Sequence, residues 1–353
     1  MSLIKKNIKI ATVLPYKENY TYTKASAASL WVSEFYKNSK FNKDNHIYGH
    51  TKNKDYLTNN YYNIELNNIK SRIKSATREY INKLVKKFKN QNYDLVEIHN
   101  RPIILDDLIK KIKTRYIMYF HNDPLSMNGS KTVSQRLNII SNVEKIVFVS
   151  EWTQRRFFID LDDKLKTKTE VVYPSVNLKK KISKKKNYIT FIGKLNRSKG
   201  YDIFANVIKK ILDEFPNWRA YSLGEEDRRE IYIDHKNHYE LGFLNHKKVL
   251  ELLDKTSISV VPSRWEEPFG RTALEASSRG CATIISNKGG LPETTNQAII
   301  LKNLDSENLY KQIRYLIKNN KVRNQIQKDS FSNVQHVISA NTKIIDKLRQ
   351  ESL

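Results

Sequence analysis

Residues 262–276 read Pro-Ser-Arg-Trp-Glu-Glu-Pro-Phe-Gly-Arg-Thr-Ala-Leu-Glu-Ala, and this stretch carries more information on the fold than any other. Glu267 and Glu275 flank a Pro-Phe-Gly turn, which leads into a helix predicted at residues 271–279. The start of a helix exposes backbone N–H groups and partial positive charge, and both favour phosphate. The two carboxylates can bind hydroxyl groups at the same time. The stretch therefore predicts a sugar-nucleotide site where a strand passes into a helix.

The rest of the chain alternates between short apolar strands and helices. In the first half, strands are predicted at residues 8–15, 94–99, 115–120 and 145–150, and helices at residues 25–36, 105–112 and from residue 151. In the second half, strands are predicted at residues 188–193, 219–223 and 257–261, and helices at residues 202–215 and 249–253. Such alternation is typical of an α/β fold, in which helices cover both faces of a parallel sheet.

A Lys-rich run at residues 178–187 is too charged to be buried and is the predicted domain boundary. It separates a first domain at residues 1–177 from a second at residues 188–334. A final helix at residues 335–353 is expected to pack back on the first domain. The length of 353 residues suits two domains of ordinary size.

The net charge, the cysteine count and the lengths of the apolar runs limit the partners and sites that this protein can have. The formal net charge of +26 predicts attraction to an anion, such as nucleic acid, an acidic bilayer or a phosphorylated substrate. The alternative is that most lysines form solvated surface. The single cysteine, Cys281, excludes an internal disulfide and a cysteine-based zinc site. No apolar run approaches the ~20 residues needed to span a bilayer, and residues 1–6 lack a signal-peptide core. The expected location is the cytoplasm, with the inner face of the cell membrane as an alternative.

A second motif lies at residues 191–200, where a predicted strand ends in Gly193 and a loop carries Lys194 and Lys199. Ligands of open α/β sheets bind outside the carboxyl ends of the strands. Two ammonium groups at this position can neutralise a diphosphate without a metal ion. Taken alone, the two residues are better interpreted as ordinary surface lysines, and the Glu267–Glu275 stretch is what favours a phosphate site.

With both motifs in view, the chain resembles the GT-B-fold glycosyltransferases of the large retaining family 4, the group 1 enzymes with an E-x7-E signature. The resemblance runs over most of the chain and is most specific in the second domain. Its motifs are the Lys194 and Lys199 pair, the segments at residues 241–244 and 260–263, the E-x7-E unit at residues 267–276, and Gly289-Gly290 with Glu293.

The resemblance implies two Rossmann-like domains that face each other across a cleft, with the donor in the second domain. Glu275 would accept hydrogen bonds from the donor ribose, and Glu267 would contact the transferred sugar. The lysine pair would stabilise the leaving diphosphate, so Lys194, Lys199 and Glu267 are candidate catalytic residues. The other donor-binding residues expected from the resemblance are Gly242, Phe243 and Leu244 beside the base and Phe269 and Gly270 near the phosphates.

The first domain supplies the acceptor side in this resemblance. His99, at the end of a predicted strand, matches the catalytic histidine of the family, although a structural histidine at a strand end is the alternative. His121 follows another strand and competes for the same role. Asn100, His121 and Asn122 are expected to line the acceptor side. The family's Gly-Gly loop after the first strand is absent, and Lys24 is expected to supply charge there instead.

Residues 69–90 are predicted to form a basic amphipathic helix. One stripe is apolar, and most of the remaining positions are Lys or Arg. One interpretation is docking on an anionic membrane that carries a lipid-linked acceptor. The alternative is a helix that packs on the sheet and has a solvated face.

The resulting hypothesis is a retaining glycosyltransferase that uses a nucleotide-diphosphate sugar and builds a cell-envelope glycan of the lipopolysaccharide type. No cofactor or metal ion is expected, because the lysine pair can neutralise the diphosphate, and front-side attack is favoured because no covalent nucleophile is evident. A sugar-nucleotide epimerase of related fold is one alternative. A basic nucleic-acid-binding protein is another, but the sequence lacks a nucleic-acid-binding signature and no specific nucleic acid is expected.

Overall fold

The computed structural model describes residues 8–16, 18–66, 75–228 and 230–353. The described residues form two compact units. The first unit extends to Pro174 and also contains Ile338–Leu353, and the second consists of Ser175–Val337. The helix expected at residues 335–353 therefore belongs, from Ile338 onwards, to the same unit as the beginning of the chain.

The first unit is built on a seven-stranded sheet, as far as the chain is described, in which every neighbouring pair is parallel. The strands are rich in Ile, Val, Tyr and Phe, and most of their residues are buried, as expected for a sheet covered on both faces. The strands are β1 (Ile10–Val13), β2 (Asn45–Gly49), β3 (Tyr61–Asn63), β4 (Leu95–His99), β5 (Arg115–Phe120), β6 (Lys145–Phe148) and β7 (Thr169–Val171).

Helices cover both faces of this sheet. They are α1 (Ala27–Asn38), α2 (Ala76–Lys89), α3 (Pro102–Ile109), α4 (Val133–Asn142) and α5 (Glu151–Phe157). Alternate strand residues point to opposite faces, and the buried apolar residues accordingly fall into two clusters. One cluster includes α2, α3 and α4, and the other includes α1 together with Ile345 and Leu348 from the end of the chain.

The second unit repeats this architecture on a six-stranded parallel sheet within the described residues. Its strands are β8 (Lys186–Ile192), β9 (Arg219–Leu223), β10 (His238–Glu240), β11 (Thr256–Val261), β12 (Ala282–Ser286) and β13 (Ile299–Leu301). Its helices are α6 (Tyr201–Glu214), α7 (His246–Lys255), α8 (Arg271–Ser278), α9 (Ser306–Lys318) and α10 (Asn320–Ser332), and the helix at Ile338–Glu351 in the first unit is α11.

Strand order fixes where a ligand can bind. The sheets run β3-β2-β1-β4-β5-β6-β7 and β10-β9-β8-β11-β12-β13, which is the order of a dinucleotide-binding fold in both units. In such sheets the binding crevice lies outside the carboxyl ends of the strands, where the direction of strand order reverses. That position lies between β1 and β4 in the first unit and between β8 and β11 in the second. The prediction of an α/β fold with two Rossmann-like sheets is confirmed.

Two predicted segments differ from the structure in extent. The helix predicted at residues 69–90 is present as α2 from Ala76, after an N-cap by Ser75, while residues 69–74 lie outside the described residues. The segment predicted as a linker at residues 178–187 overlaps β8, which begins at Lys186 because the strand pairs with Thr256 of β11.

Candidate functional site

The loops that follow β8 and β11 are bound to each other. Gly200 has a positive φ of 73°, and a Cβ atom added there would lie 1.9 Å from the carbonyl oxygen of Pro262. The backbone N–H groups of Arg264 and Trp265 both donate to the carbonyl oxygen of Ser198 at 2.9 Å. The sequence therefore needs glycine at this turn, and the two predicted motifs lie side by side at the switch point of the second sheet.

Lys199 and Glu267 are brought into direct contact by this arrangement. The Lys199 Nζ atom donates to the Glu267 Oε1 atom at 2.6 Å, and the side chains retain 28% and 14% of their exposure. The cation predicted to bind diphosphate and the carboxylate predicted to bind sugar thus form one partly exposed ion pair. A phosphate group entering here would compete with Glu267 for Lys199 and would leave the carboxylate available to hydroxyl groups.

The paired glycines that follow β12 hold the backbone of Glu267. The Gly290 N–H group donates to the Glu267 carbonyl oxygen at 2.7 Å. Gly289 has a φ of 59°, and a Cβ atom at that position would lie 2.1 Å from the same oxygen. Because any side chain at Gly289 would collide with this backbone, the Gly-Gly motif fixes the loop that presents Glu267.

Glu275 lies on α8 with only 5% of its surface exposed. Its Oε1 atom accepts from the Arg271 Nε atom at 2.6 Å and from the His246 Nε2 atom at 2.7 Å. Burial acts to raise the pKa of Glu275, but the charges and hydrogen bonds of Arg271 and His246 hold that pKa at about 2. The carboxylate is therefore ionised at neutral pH and is a strong hydrogen-bond acceptor.

Sequence reasoning did not find His246 or Arg271. Arg271 lies four residues before Glu275 on the same helix, so helical spacing was a signal that could have identified it. His246 is the first residue of α7, after an N-cap by Asn245, and only the fold brings it to Glu275.

The predicted base-binding segment lies at the ends of β9 and β10. Gly224 donates its N–H group to the Gly242 carbonyl oxygen at 2.9 Å, and a Cβ atom at Gly224 would lie 1.9 Å from the Gly193 carbonyl oxygen. Glycines therefore follow three neighbouring strands, and at Gly224 the absence of a side chain allows the close approach of the Gly193 backbone. Phe243 is 41% exposed, and Lys194 is also exposed beside Gly193. Leu244, the last residue of the predicted segment, is half-buried.

Phe269 and Gly270 occupy the turn before α8. The Phe269 side chain is buried and packs against the edge of the His336 ring, with the ring centroids 5.5 Å apart. Gly270 is the N-cap residue and has a φ of 111°. The buried Phe269 side chain leaves only the backbone of these two residues available to a ligand, and their contact with phosphate stays a prediction.

In the first unit, two histidines lie in contact at the carboxyl ends of β4 and β5. The His99 Nδ1 atom lies 2.8 Å from the His121 Nε2 atom, and the His99 ring stacks on Tyr119 with the centroids 4.3 Å apart. His99 is 1% exposed. Burial, with a further contribution from the charge of Arg349, lowers the pKa of His99 to about 3. Burial and the neighbouring His99 also lower the pKa of His121 well below its ordinary value. Both rings are therefore neutral at pH 7.

Asn100 forms hydrogen bonds with the backbones of His121 and Asn122, the other residues predicted on the acceptor side. Its backbone has a φ of 53°, and its Oδ1 atom accepts from the N–H groups of His121 at 2.7 Å and Asn122 at 3.2 Å. His99, Asn100, His121 and Asn122 thus lie together, with His121 partly exposed and Asn122 exposed. Lys24 lies apart from this group, on a cavity near the carboxyl ends of β1 and β2.

A buried ion pair lies next to His99 on the same face of the sheet, because Glu97 and His99 are two residues apart on β4. Both Glu97 oxygens accept from the Arg349 guanidinium at 2.7 Å, and the Tyr119 hydroxyl donates to Glu97 at 2.8 Å. A carboxylate in the middle of an apolar strand was a signal for such a pair, but its partner lies 252 positions away.

The described residues contain no group of three or more His, Cys, Asp or Glu side chains arranged to hold a metal ion. Within the same part of the chain, no helix is long and apolar enough to cross a membrane.

Comparisons with known proteins place a family match in the second unit. Residues 176–332 match the family described as Glycosyl transferases group 1. Spore coat protein SA of Bacillus subtilis is 24% identical over 242 residues, which are 59% of this chain and 64% of the relative. A protein of the cps region of Klebsiella pneumoniae, of 41.2 kDa, is 23% identical over 64% of this chain and 69% of its own length. The chain thus spans slightly less than two thirds of Spore coat protein SA.

Solved structures match the whole chain. Sucrose-phosphate synthase from Thermosynechococcus elongatus superposes with a TM-score of 0.76 at 13% identity and covers 98% of both chains. Anabaena HepE in complex with UDP-glucose superposes with a TM-score of 0.77 at 14% identity, over 97% of this chain and 99% of HepE. The chain therefore has the GT-B glycosyltransferase fold.

Proposed function

We propose that this protein is a retaining glycosyltransferase that transfers a sugar from a nucleoside-diphosphate sugar to a glycan or glycolipid acceptor. The observation that carries the proposal is the contact of Lys199 with Glu267 at the switch point of the second sheet, together with the ionised and buried Glu275 on the helix that follows the same loop. A cation for phosphate and two carboxylates for hydroxyl groups are the donor-binding chemistry that a sugar nucleotide requires.

The comparisons support the donor class and a surface-glycan acceptor. HepE has been solved with UDP and with UDP-glucose, and it shares the fold of this chain. A spore coat protein and a cps-region protein are among the sequence relatives, which favours a cell-envelope polysaccharide or glycolipid as the product.

In the proposed reaction, the bond between the anomeric carbon and the diphosphate oxygen breaks, and the acceptor oxygen bonds to the same face of the sugar. The acceptor proton passes to the leaving phosphate oxygen. Lys194 and Lys199 stabilise the negative charge that grows on the diphosphate, an interaction that is stronger in the transition state than in the ground state. Glu267 binds hydroxyl groups of the transferred sugar, and Glu275 binds the ribose. Because the lysines neutralise the diphosphate, activity should persist when EDTA is added.

On the acceptor side, we assign direct substrate contact to His121 and a positioning role to His99. His121 is partly exposed, whereas His99 is buried beneath it. The His99 Nδ1 atom is hydrogen-bonded to the His121 Nε2 atom, so the tautomer of one ring sets the tautomer of the other, and the contact holds the His121 ring in position.

Thermal-shift measurements with UDP-, GDP- and ADP-sugars test the proposal, followed by assays of donor turnover. Wild-type protein should be stabilised by one nucleotide sugar. Lys199→Ala and Glu275→Ala should each lower kcat/KM for that donor by about 100-fold or more, because each removes a charged contact worth about 3 kcal/mol. His121→Ala should lower kcat and leave donor binding intact.

Lys311→Ala and Glu307→Ala are the matched controls, since these residues form an exposed ion pair on α9. Near-normal kinetics in both Lys199→Ala and Glu275→Ala would contradict the proposed donor site. Conversion of the donor to its epimer without any acceptor would indicate the epimerase alternative instead.

A further inference from the structure

The first unit contains a second candidate binding site that the proposed donor chemistry does not use. A cavity of about 560 Å³ lies at the carboxyl ends of β1, β2 and β3. Its lining includes Tyr16 after β1, His50 after β2 and Leu66 after β3. The volume is in the range of pockets that hold small organic ligands, about 300–1,000 Å³, and the carboxyl ends of the strands are the binding edge of this fold.

The cavity has a mixed lining that suits a sugar. Tyr16 and Leu66 supply apolar surface for the faces of a sugar ring. Thr21 and Thr51 supply hydroxyl groups, and both residues are buried, with 2% and 4% of their surface exposed. The Thr21 hydroxyl oxygen accepts from the Lys24 N–H group at 3.2 Å, which holds this side chain in position at the edge of the cavity.

His50 adds a hydrogen-bond acceptor of known orientation. Its Nδ1 atom lies 2.9 Å from the carbonyl oxygen of Ile64. A carbonyl oxygen can only accept, so Nδ1 carries the proton and donates it. In the neutral ring, Nε2 is then the nitrogen that can accept a hydrogen bond from a ligand hydroxyl.

The charge of the lining indicates the class of ligand. Lys24 and Lys52 both line the cavity and are exposed, and none of the described residues of the lining is acidic. Arg101 also lies close by, because its guanidinium carbon is 6.0 Å from the centroid of the Tyr16 ring, and its charge interacts with that of Glu18, the neighbour of the lining residue Asn19. Arg101 directly follows Asn100, so the cavity adjoins the strand end that carries His99.

From these contacts we infer that the cavity is an acceptor subsite for a sugar residue that bears an anionic group, either a carboxylate or a phosphate. The ring would lie against Tyr16 and Leu66, a hydroxyl group would donate to His50, and the anion would face Lys24 and Lys52. That the bound sugar is the acceptor of a transfer rests on the proposed glycosyltransferase function. Binding of an anionic sugar in the cavity does not depend on that function.

Saturation-transfer NMR with three probes tests the inference in the full-length protein: glucuronic acid, glucose 6-phosphate and glucose. UDP, GDP and ADP are present together at saturating concentration throughout, so that the donor site is occupied whichever base it prefers. Transfer to at least one anionic sugar should exceed transfer to glucose several-fold. A response to glucuronic acid alone identifies a carboxylate-bearing acceptor, and a response to glucose 6-phosphate alone identifies a phosphate-bearing one.

The double variant Lys24→Ala/Lys52→Ala should lose at least three-quarters of the transfer to the anionic sugar. Lys110→Ala/Lys131→Ala is the matched control, because it removes the same charge from exposed positions on the first unit. Equal transfer to all three sugars, or equal loss in both double variants, overturns the inference.

A separate thermal shift of each variant with nucleotide sugars distinguishes the two proposals. Loss of the anionic-sugar signal with an intact nucleotide-sugar response supports the cavity as a site distinct from the donor site. Absence of any nucleotide-sugar response in the wild type would count against the proposed function. The NMR result would still decide whether the cavity binds an anionic sugar.

Discussion

At the scale of single residues, the candidate site depends on charges that are fixed by specific neighbours. Glu275 is kept ionised by Arg271 and His246, whereas His99 is kept neutral by burial. The same chain therefore holds a buried acid in its charged form and a buried base in its uncharged form, and both states persist at neutral pH.

The neutral state of His99 predicts a pH dependence of stability. Its pKa is about 3 in the folded protein and about 6.5 in the unfolded chain, so between these values only the unfolded chain binds the proton. The free energy of unfolding should therefore fall as the pH is lowered below about 6.5, by up to about 1.4 kcal/mol per pH unit for this residue. Urea unfolding at pH 7.5, 6.0 and 5.0 measures the slope.

His99→Phe keeps an aromatic ring against Tyr119 and removes the titration. Its stability should depend less steeply on pH in this range than that of the wild type. Parallel curves for the two proteins would show that His99 binds a proton in the folded state.

The sequence predicted part of the site at this scale. Lys199, Glu267 and Glu275 were found because their motifs are local and lie at strand ends, where the fold must bring them together. His246 was not found, since a histidine at a helix start has many roles and its contact with Glu275 crosses 29 positions. The burial of His99 also could not be predicted, because it depends on the Trp31 and Tyr119 rings that pack around it.

At the scale of elements, the turns between strand and helix determine where the charges lie. The turn at Gly200 packs beneath Pro262, and the turn at Gly289 packs beneath Glu267. The loops of the candidate site are therefore positioned by backbone contacts that exclude any side chain, and this explains why the motifs contain glycine at these positions.

Gly200→Ala and Gly242→Ala form a matched pair that tests this explanation. Both residues have a positive φ, 73° and 62°, but an added Cβ atom collides with Pro262 at Gly200 and meets nothing within 4 Å at Gly242. Gly242→Ala should cost about 1 kcal/mol of stability from backbone strain alone. Gly200→Ala should cost more, by about 1–3 kcal/mol, and should weaken donor binding. Equal losses in urea unfolding would contradict the role of the Pro262 contact.

The burial of helix α2 shows that the membrane hypothesis is wrong in one respect, the use of the apolar face. Its apolar residues Tyr80, Ile81, Leu84 and Phe88 are buried in the core of the first unit, so that face cannot insert into a bilayer. Electrostatic attraction of the exposed face to anionic lipid remains as a proposal. At about 1 kcal/mol for each basic residue near an anionic surface, several lysines would be enough for reversible binding.

Vesicle sedimentation tests this form of membrane binding. The protein should bind vesicles with 30% phosphatidylglycerol and release at high salt, because the attraction is screened. Lys86→Gln/Lys87→Gln/Lys89→Gln should weaken binding by about tenfold or more. Lys209→Gln/Lys236→Gln/Lys247→Gln, at exposed positions of the second unit, is the control. Equal binding by both triple variants would show that α2 has no special part.

At the scale of the whole molecule, the two ends of the described chain meet in one unit. Helix α11 packs on the sheet of the first unit, where Arg349 pairs with the buried Glu97 and Asp346 accepts from the backbone of Lys40. A helix at residues 335–353 that packs back on the first domain was expected from the sequence. The pairing itself could not be predicted, because no local pattern links Glu97 with Arg349.

Removal of the Arg349 charge should destabilise the first unit strongly. Arg349→Met leaves the Glu97 carboxylate buried without its cation, at a cost of about 3–5 kcal/mol in the free energy of unfolding. Adding Glu97→Gln should recover part of this loss, since the remaining side chain is uncharged. Lys347→Met, on the exposed side of α11, should change stability by less than about 0.5 kcal/mol. An Arg349→Met protein as stable as the Lys347→Met control would show that the pair contributes little.

The contribution of α11 to the first unit also has a consequence for biosynthesis. While the ribosome is still making residues 175–337, the sheet of the first unit has already emerged, but Glu97 has no cation and the surface that Ile345 and Leu348 will cover is open. The second unit contains every residue of its own core by Val337 and can fold at once. The unit that is translated first is therefore the one that is completed last, and during that interval its exposed apolar surface is a natural target for chaperones.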